Sequence, residues 1–220
     1  MLSLEDLNVS NIKVYQDDDL YHFTSDAVLL AKFTQVKKKD VVADFCSGSG
    51  VVGFYLYGLN PDISSVDFFE MQESMYELSK KSIKLNGLEQ KFTAHNLKVQ
   101  EVYKDFNERF SLIVCNPPYM KTNSGLMDER EQIAMCKNEV YLPLNELILA
   151  VSRSLKFGGR VNLVHRADRL IEVVFEMKKN NIEPKKLQFV CGGNKQPYLF
   201  LIEGVKGGKS GIKILNEIKN

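Results

Sequence analysis

Residues 44–53 read Asp44-Phe45-Cys46-Ser47-Gly48-Ser49-Gly50-Val51-Val52-Gly53 and continue the apolar run that begins at Val41. Val41 to Phe45 predicts a buried strand, and Val51 to Leu59 a helix that stops before Pro61. The glycines therefore fall in a strand-to-helix turn. Gly48 and Gly50 permit a tight turn with close backbone approach, and Gly53 permits a helix to lie close on a strand. Ile63 to Phe69 predicts the next strand. It delivers Glu70 at the distance where an acid meets ribose hydroxyls in nucleoside-binding α/β sheets.

The alternation continues outward from this unit. Helices are predicted over Gln72 to Leu85, near Val99 to Phe106, over Leu144 to Leu155 and over Ala167 to Lys179. Asn86-Gly87 stops the first of these and Gly158-Gly159 the third. Strands are predicted at Phe92 to Ala94, Phe110 to Cys115, Val161 to Val164, Lys186 to Val190 and Tyr198 to Glu203. The expected fold is α/β: a seven-stranded, mostly parallel sheet with helices on both faces. The last two strands have no helix between them, so an antiparallel C-terminal hairpin should close it. Ahead of the sheet, Ile12 to Tyr15 predicts a strand, and Thr24-Ser25-Asp26 can cap a helix through Ala27 to Ala31. The expected division is an N-terminal extension over 1–35, strand plus helix, packed on a core domain over 36–220.

Asn116-Pro117-Pro118-Tyr119 follows the strand Phe110 to Cys115 and so belongs at its carboxyl end, where such sheets bind ligands. Two prolines remove two backbone donors and hold the preceding residue extended. The Asn116 amide oxygen, rigid carbonyls and the Tyr119 ring suit a planar group carrying an NH2. Asn116 Oδ1 and the Pro117 carbonyl would accept its hydrogens and favour the positive nitrogen of the transition state. Tyr119 would stack on the group and fix it in line. Asn116, Pro117 and Tyr119 are thus the expected catalytic residues. The carboxylate of Asp44 would repel a pyrophosphate on the glycine turn but favour the sulfonium and ammonium of S-adenosylmethionine. The implied reaction is N-methylation.

Composition sets limits. The chain has 220 residues, 44% hydrophobic and 26% charged, which suits one globular domain. A net charge of +1 gives no global argument for a nucleic-acid partner. No apolar run has the length to span a bilayer, and the acidic start is unlike a secretory signal. Cys46, Cys115, Cys136 and Cys191 form no CxxC pair, so a reduced, cytoplasmic protein is expected. Asp17-Asp18-Asp19 reads as a solvated turn rather than a metal site. His22, His95 and His165 are isolated, and neither a metal nor a catalytic histidine is expected.

Taken together, these residues resemble the class I S-adenosylmethionine-dependent methyltransferases, whose fold is Rossmann-like. Within them the chain is similar to the bacterial family that methylates N6 of adenine-37 in a valine tRNA. The resemblance rests on Gln16, Phe23 to Phe33, the Asp44 to Gly53 loop, Asn86-Gly87-Leu88 and Asn116 to Tyr119. It continues through Glu139, Gly158-Gly159-Arg160, Leu163 to Leu170 and Ile182 to Leu187. It implies that Gly48 and Gly50 border the methionine part of the cofactor, that Glu70 holds the ribose, and that Asn116 borders cofactor and acceptor alike. It places Asn96 beside the cofactor's adenine, where many relatives carry an aspartate. Lys137-Asn138 before Glu139 replaces a frequent Arg-His, exchanging a planar bidentate group for a point charge. Lys137, Glu139, Arg166 and Arg169 are the implied RNA contacts, beside Tyr119.

The same chemistry serves adenine in DNA, adenine in RNA or a glutamine amide in a protein. A stacked base must first be flipped out to reach such a pocket. DNA adenine enzymes usually bring a target-recognition domain, and glutamine methyltransferases a helical N-terminal one; neither is expected from the segments that flank this core. Lysines after residue 177, namely Lys178, Lys179, Lys185, Lys186, Lys195, Lys206, Lys209, Lys213 and Lys219, outnumber the local acids, with Arg160, Arg166 and Arg169 just before them. They could grip phosphates, so tRNA is the expected partner of a monomer or weak homodimer. Met120 to Lys137 reads as a loop over the substrate. A noncatalytic RNA-binding protein on a cofactor fold is the alternative from another class.

Overall fold

The computed structural model describes residues 2–20, 22–119, 142–193 and 196–219. The central strands are β3 (Val41–Phe45), β4 (Ser65–Glu70), β5 (Phe92–Asn96), β6 (Phe110–Cys115), β7 (Leu155–Arg166), β8 (Ile182–Cys191) and β9 (Pro197–Lys206). They lie in the order β8-β9-β7-β6-β3-β4-β5. All neighbours are parallel except that β9 runs antiparallel to both β7 and β8. Two short strands, β10 (Lys213–Ile214) and β11 (Ile218–Lys219), pair parallel with β8 and widen the sheet to nine. They carry no alternation of their own; the open hydrogen-bonding edge of β8 recruits them.

Successive residues of a strand point to opposite faces, and both faces here are apolar and covered. Val42, Phe68, Leu112, Val114, Val164 and Leu201 join one buried cluster with α1 (Ser25–Phe33), α2 (Val51–Leu59) and α3 (Glu73–Leu85). Ala43, Phe69, Ile113, Cys115, Leu163 and Phe200 join the other with α4 (Val102–Asp105), α5 (Leu144–Ser154) and α6 (Leu170–Lys179). This is the mostly parallel, doubly covered sheet expected of the pattern, and the apolar runs of β3, β4 and β6 follow from burial on both sides. Among the described residues no helix is long and apolar enough to cross a membrane.

Three local expectations change. Gly158-Gly159 does not stop α5, which ends at Ser154 with β7 starting at Leu155. The glycines instead form a bulge within β7: Phe110 pairs with Leu155 but Leu112 with Arg160. A Cβ on Gly159 would stand 2.8 Å from the Lys156 carbonyl. The helix near Val99 opens as a 3-10 turn over Val99–Glu101 and is α-helical only over four residues. Thr24 is the N-cap of α1 but makes no side-chain capping bond; Asp26 is used elsewhere.

The N-terminal segment contains a hairpin, β1 (Leu2–Asp6) with β2 (Lys13–Asp17), in addition to α1. β1 is exposed at every position, so no burial pattern marks it in the sequence. β2 is tied to α3: Tyr15 N–H donates to Ser82 Oγ at 2.9 Å. Asn86 both accepts from Lys13 N–H (3.1 Å) and donates to its carbonyl (2.7 Å), imitating a strand partner. Asn86-Gly87 also ends α3, with Leu88 N–H returning to the Ile83 carbonyl at 3.1 Å.

Candidate active site

A cleft opens at the carboxyl ends of β3, β4 and β6, where the strand order reverses. It holds about 850 Å³ of empty space, its open mouth included. Residues 46–49, Glu70 to Gln72, Met75, Asn116 and Pro118 line it, together with Phe23 and Ala27 from the N-terminal segment.

The glycine turn has the shape its sequence requires. Gly50 caps α2 in the left-handed region (φ 89°). A Cβ there would lie 2.7 Å from the Phe68 ring, and one on Gly53 only 2.4 Å from it. Both glycines let α2 rest on β4. Glu70, buried at 7% exposure, clamps the turn to the end of β4. Its Oε2 accepts from Gly48 N–H and its Oε1 from Gln72 N–H, each at 2.9 Å. Burial pushes its carboxyl above the ordinary carboxylate range, against the pull of those donors.

Asp44, expected to face the cations of a cofactor, is placed differently. It is 1% exposed and sits behind the turn, its Oδ2 accepting from Gly53 N–H at 2.9 Å. Burial, with the Glu70 charge adding to it, raises its pKa to about 7 although the Gly53 donor pulls the other way. Asn96 donates its amide NH2 to the carbonyls of Glu70 (3.0 Å) and Met71 (3.1 Å). Its Oδ1 is the atom left to accept. An aspartate at this place would set carboxylate oxygens against those carbonyls, so the asparagine fastens the end of β4 in a way the acid could not.

Asn116 leaves β6 with Oδ1 buried and no hydrogen-bond partner among the described residues. A buried acceptor without a donor costs about 1–3 kcal/mol, so the atom is poised for a ligand NH. Ser47 Oγ, on the same cleft wall, is buried and unpartnered as well. Pro117 is buried, and Pro118 lines the cleft. The Tyr119 hydroxyl donates to Asp26 Oδ2 of α1, and its ring meets that of His165 at 5.7 Å between centroids. Cys46 adopts φ 57° at the turn. A hydrogen bond with Cys115 and burial hold its thiol well above the usual range, which makes it a poor nucleophile.

The expected RNA contacts are described only in part. Lys137 and Glu139 lie outside the described residues, as do Lys195 and the loop read over Met120 to Lys137. Arg166 is engaged by both carboxylate oxygens of Asp168, at 3.1 and 2.9 Å. Arg169 and Arg160, each 6% exposed, face Glu172 and Asp40 rather than solvent. Lys178, Lys179, Lys186, Lys206 and Lys219 pair with Glu183, Glu176, Glu203, Glu108 and Glu217. Five of the nine lysines after residue 177 thus have an acid within reach, a pairing that sequence does not show. His95 pairs with Asp67 at 2.9 Å and stacks on Phe69, and His22 pairs with Asp18.

Two contacts of the N-terminal segment carry no signal of their own in the sequence. Gln16, 1% exposed, donates to Ser49 Oγ of the glycine turn at 2.6 Å. The Asp26–Tyr119 bond joins residues separated by 93 positions.

Residues 14–183 match the family described as Methyltransferase small domain. Among curated relatives, the chain is 23% identical over 199 residues to a tRNA1(Val) (adenine(37)-N6)-methyltransferase of Christiangramia forsetii, covering 89% of this chain and 82% of that one. It is 27% identical over 199 residues to a protein of the same name from Flavobacteriaceae bacterium strain 3519-10, covering 83% and 81%. Among solved structures, a chain described as a predicted O-methyltransferase of Agrobacterium tumefaciens superposes with a TM-score of 0.69 at 18% identity, covering 88% and 86%. Methanocaldococcus jannaschii Trm5 in complex with adenosine superposes at 0.67 and 19% identity, covering 94% of this chain and 57% of that one.

Proposed function

The chain belongs to the Methyltransferase small domain family, and on that premise we propose that it transfers a methyl group from S-adenosylmethionine to the exocyclic N6 of an adenine in tRNA, adenine-37 of a valine tRNA being the specific acceptor. The observation that carries the reading is the buried, unpartnered Oδ1 of Asn116 at the carboxyl end of β6, beside the glycine turn. The two curated relatives described above bear a name with that acceptor.

The residues present fit the cofactor. Glu70 offers carboxylate lone pairs to ribose hydroxyls at the end of β4, and Asn96 Oδ1 an acceptor to an adenine amino group. Ser47 Oγ and the backbone of the turn offer polar groups to the amino-acid end. The cofactor, when bound, supplies an electrophilic methyl group. Asn116 Oδ1 and the Pro117 carbonyl accept the two N6 hydrogens and stabilise positive charge as it develops on nitrogen. Tyr119 holds the base by stacking, which fixes the nitrogen for in-line attack. No strong base is required, since the ammonium product is acidic enough to lose its proton after transfer.

The test is incubation with labelled S-adenosylmethionine and unmodified valine tRNA, DNA or release-factor protein, with mass spectrometry of the digested RNA. N6-methyladenosine at position 37 is expected. Label confined to protein or DNA overturns the acceptor, and label-free RNA that nevertheless binds tightly favours a noncatalytic module. Asn116→Ala should lower transfer by about 100-fold or more, the scale of losing one transition-state acceptor, while cofactor binding in the folded protein persists. Near-normal transfer by that variant overturns the role of Asn116.

A further inference from the structure

We propose that Asp26 is a positioning residue for the reaction: from the N-terminal segment, its carboxylate holds the Tyr119 hydroxyl and so sets the plane on which the acceptor stacks. The inference rests on the reading of Tyr119 as the acceptor's platform. Stacking by itself needs only the ring, and a phenylalanine would provide it; the hydroxyl therefore has a second use. It donates to Asp26 Oδ2. A neutral donor to a carboxylate is a strong, directional bond, and Asp26 is 8% exposed, where a charge requires such a partner.

The placement is built from two sides. Asp26 stands in the first turn of α1, and its neighbours Phe23 and Ala27 line the cleft. Across the ring stands His165 of β7, inclined at 52° to Tyr119. His165 is itself fixed, since its Nδ1 accepts from Arg166 N–H at 2.9 Å and its ring stacks on Phe200. Tyr119 is thus held at its hydroxyl by α1 and along its ring by β7. Pro117 and Pro118 stiffen the backbone up to it, but they leave the tyrosine side-chain torsions open. The two outer contacts select one orientation. Gln16 performs a parallel service at the glycine turn through Ser49, so the N-terminal segment reaches both halves of the site.

A double-mutant cycle over Asp26→Ala and Tyr119→Phe tests this, with Asp26→Asn as the variant that retains an acceptor oxygen. Asp26→Ala and Tyr119→Phe should each lower kcat about tenfold, within the range set by small misplacements of a reacting group. The double variant should be no slower than either single one, because both remove one interaction. Asp26→Asn should stay within about threefold of the native kcat, and the dissociation constant for S-adenosylmethionine should not move in any variant. A merely structural aspartate would lower stability but leave kcat of the folded protein intact, and that result overturns the proposal. Multiplicative losses in the double variant overturn it too. The cycle is run on whichever acceptor takes label from the native protein, so transfer to a glutamine removes the tRNA reading and leaves Asp26 on trial. Urea unfolding of the same four proteins reads the contact without any acceptor: additive losses there overturn it.

Discussion

Asp44 couples the glycine turn to pH. Its carboxyl titrates near 3.8 when free and at about 7 in the fold, because burial disfavours its charge. The sign follows from linkage. Below pH 3.8 the group is protonated folded or unfolded and its contribution is fully present; between there and about 7 only the unfolded chain gives up the proton. Stability from this group is therefore lost as pH rises through that window. Asp44→Asn should flatten the fall, read as urea midpoints across the window, whereas an unchanged slope would assign it to other groups such as Glu70, raised in the same direction.

Between elements, the tightest approach in the site is α2 on β4 at Gly53, where an added methyl would meet Phe68 and Val66. Gly53→Ala gains roughly 1 kcal/mol of helix propensity but overpacks an interior contact, which costs about 1–3 kcal/mol. The helix must lift, and the Gly53 N–H that donates to Asp44 moves with it. A net loss of about 1 kcal/mol in urea unfolding is expected, with weaker cofactor binding. Full cofactor affinity in the variant would show that the turn does not depend on the seating of α2. This element was legible in the sequence down to its boundaries: the predicted Val51 to Leu59 helix and Val41 to Phe45 strand are those observed. The bulge at Gly158-Gly159 was not, since the same dipeptide ends a helix or bends a strand and only the pairing of β6 with β7 decides between them.

Across the whole molecule, the end of the sheet opposite the cleft is locked by one buried ion pair. Arg160 of β7 meets Asp40, just before β3, at 2.6 Å and also donates to the Gln35 carbonyl. Ser111 of β6 donates to the other Asp40 oxygen at 2.7 Å. Arg160→Ala leaves a buried carboxylate without its cation and should cost about 3–5 kcal/mol, with the cofactor affinity of the remaining folded protein unchanged. A loss below about 1 kcal/mol, the worth of a surface pair, would show that Asp40 finds water instead. What the sequence determined by itself is local and periodic: the alternation of strands and helices, the glycine turn, and the NPPY residues at the end of β6. These are fixed by backbone sterics and by burial of alternate side chains, both readable over a few neighbouring residues. What only the tertiary structure decided is pairing at a distance. Asp26 holds Tyr119, Asp44 lies behind its turn, Gln16 reaches Ser49, and five of the nine lysines after residue 177 are matched with acids. A charge or a hydroxyl shows the bonds it can make, but which partner it meets depends on how the chain closes.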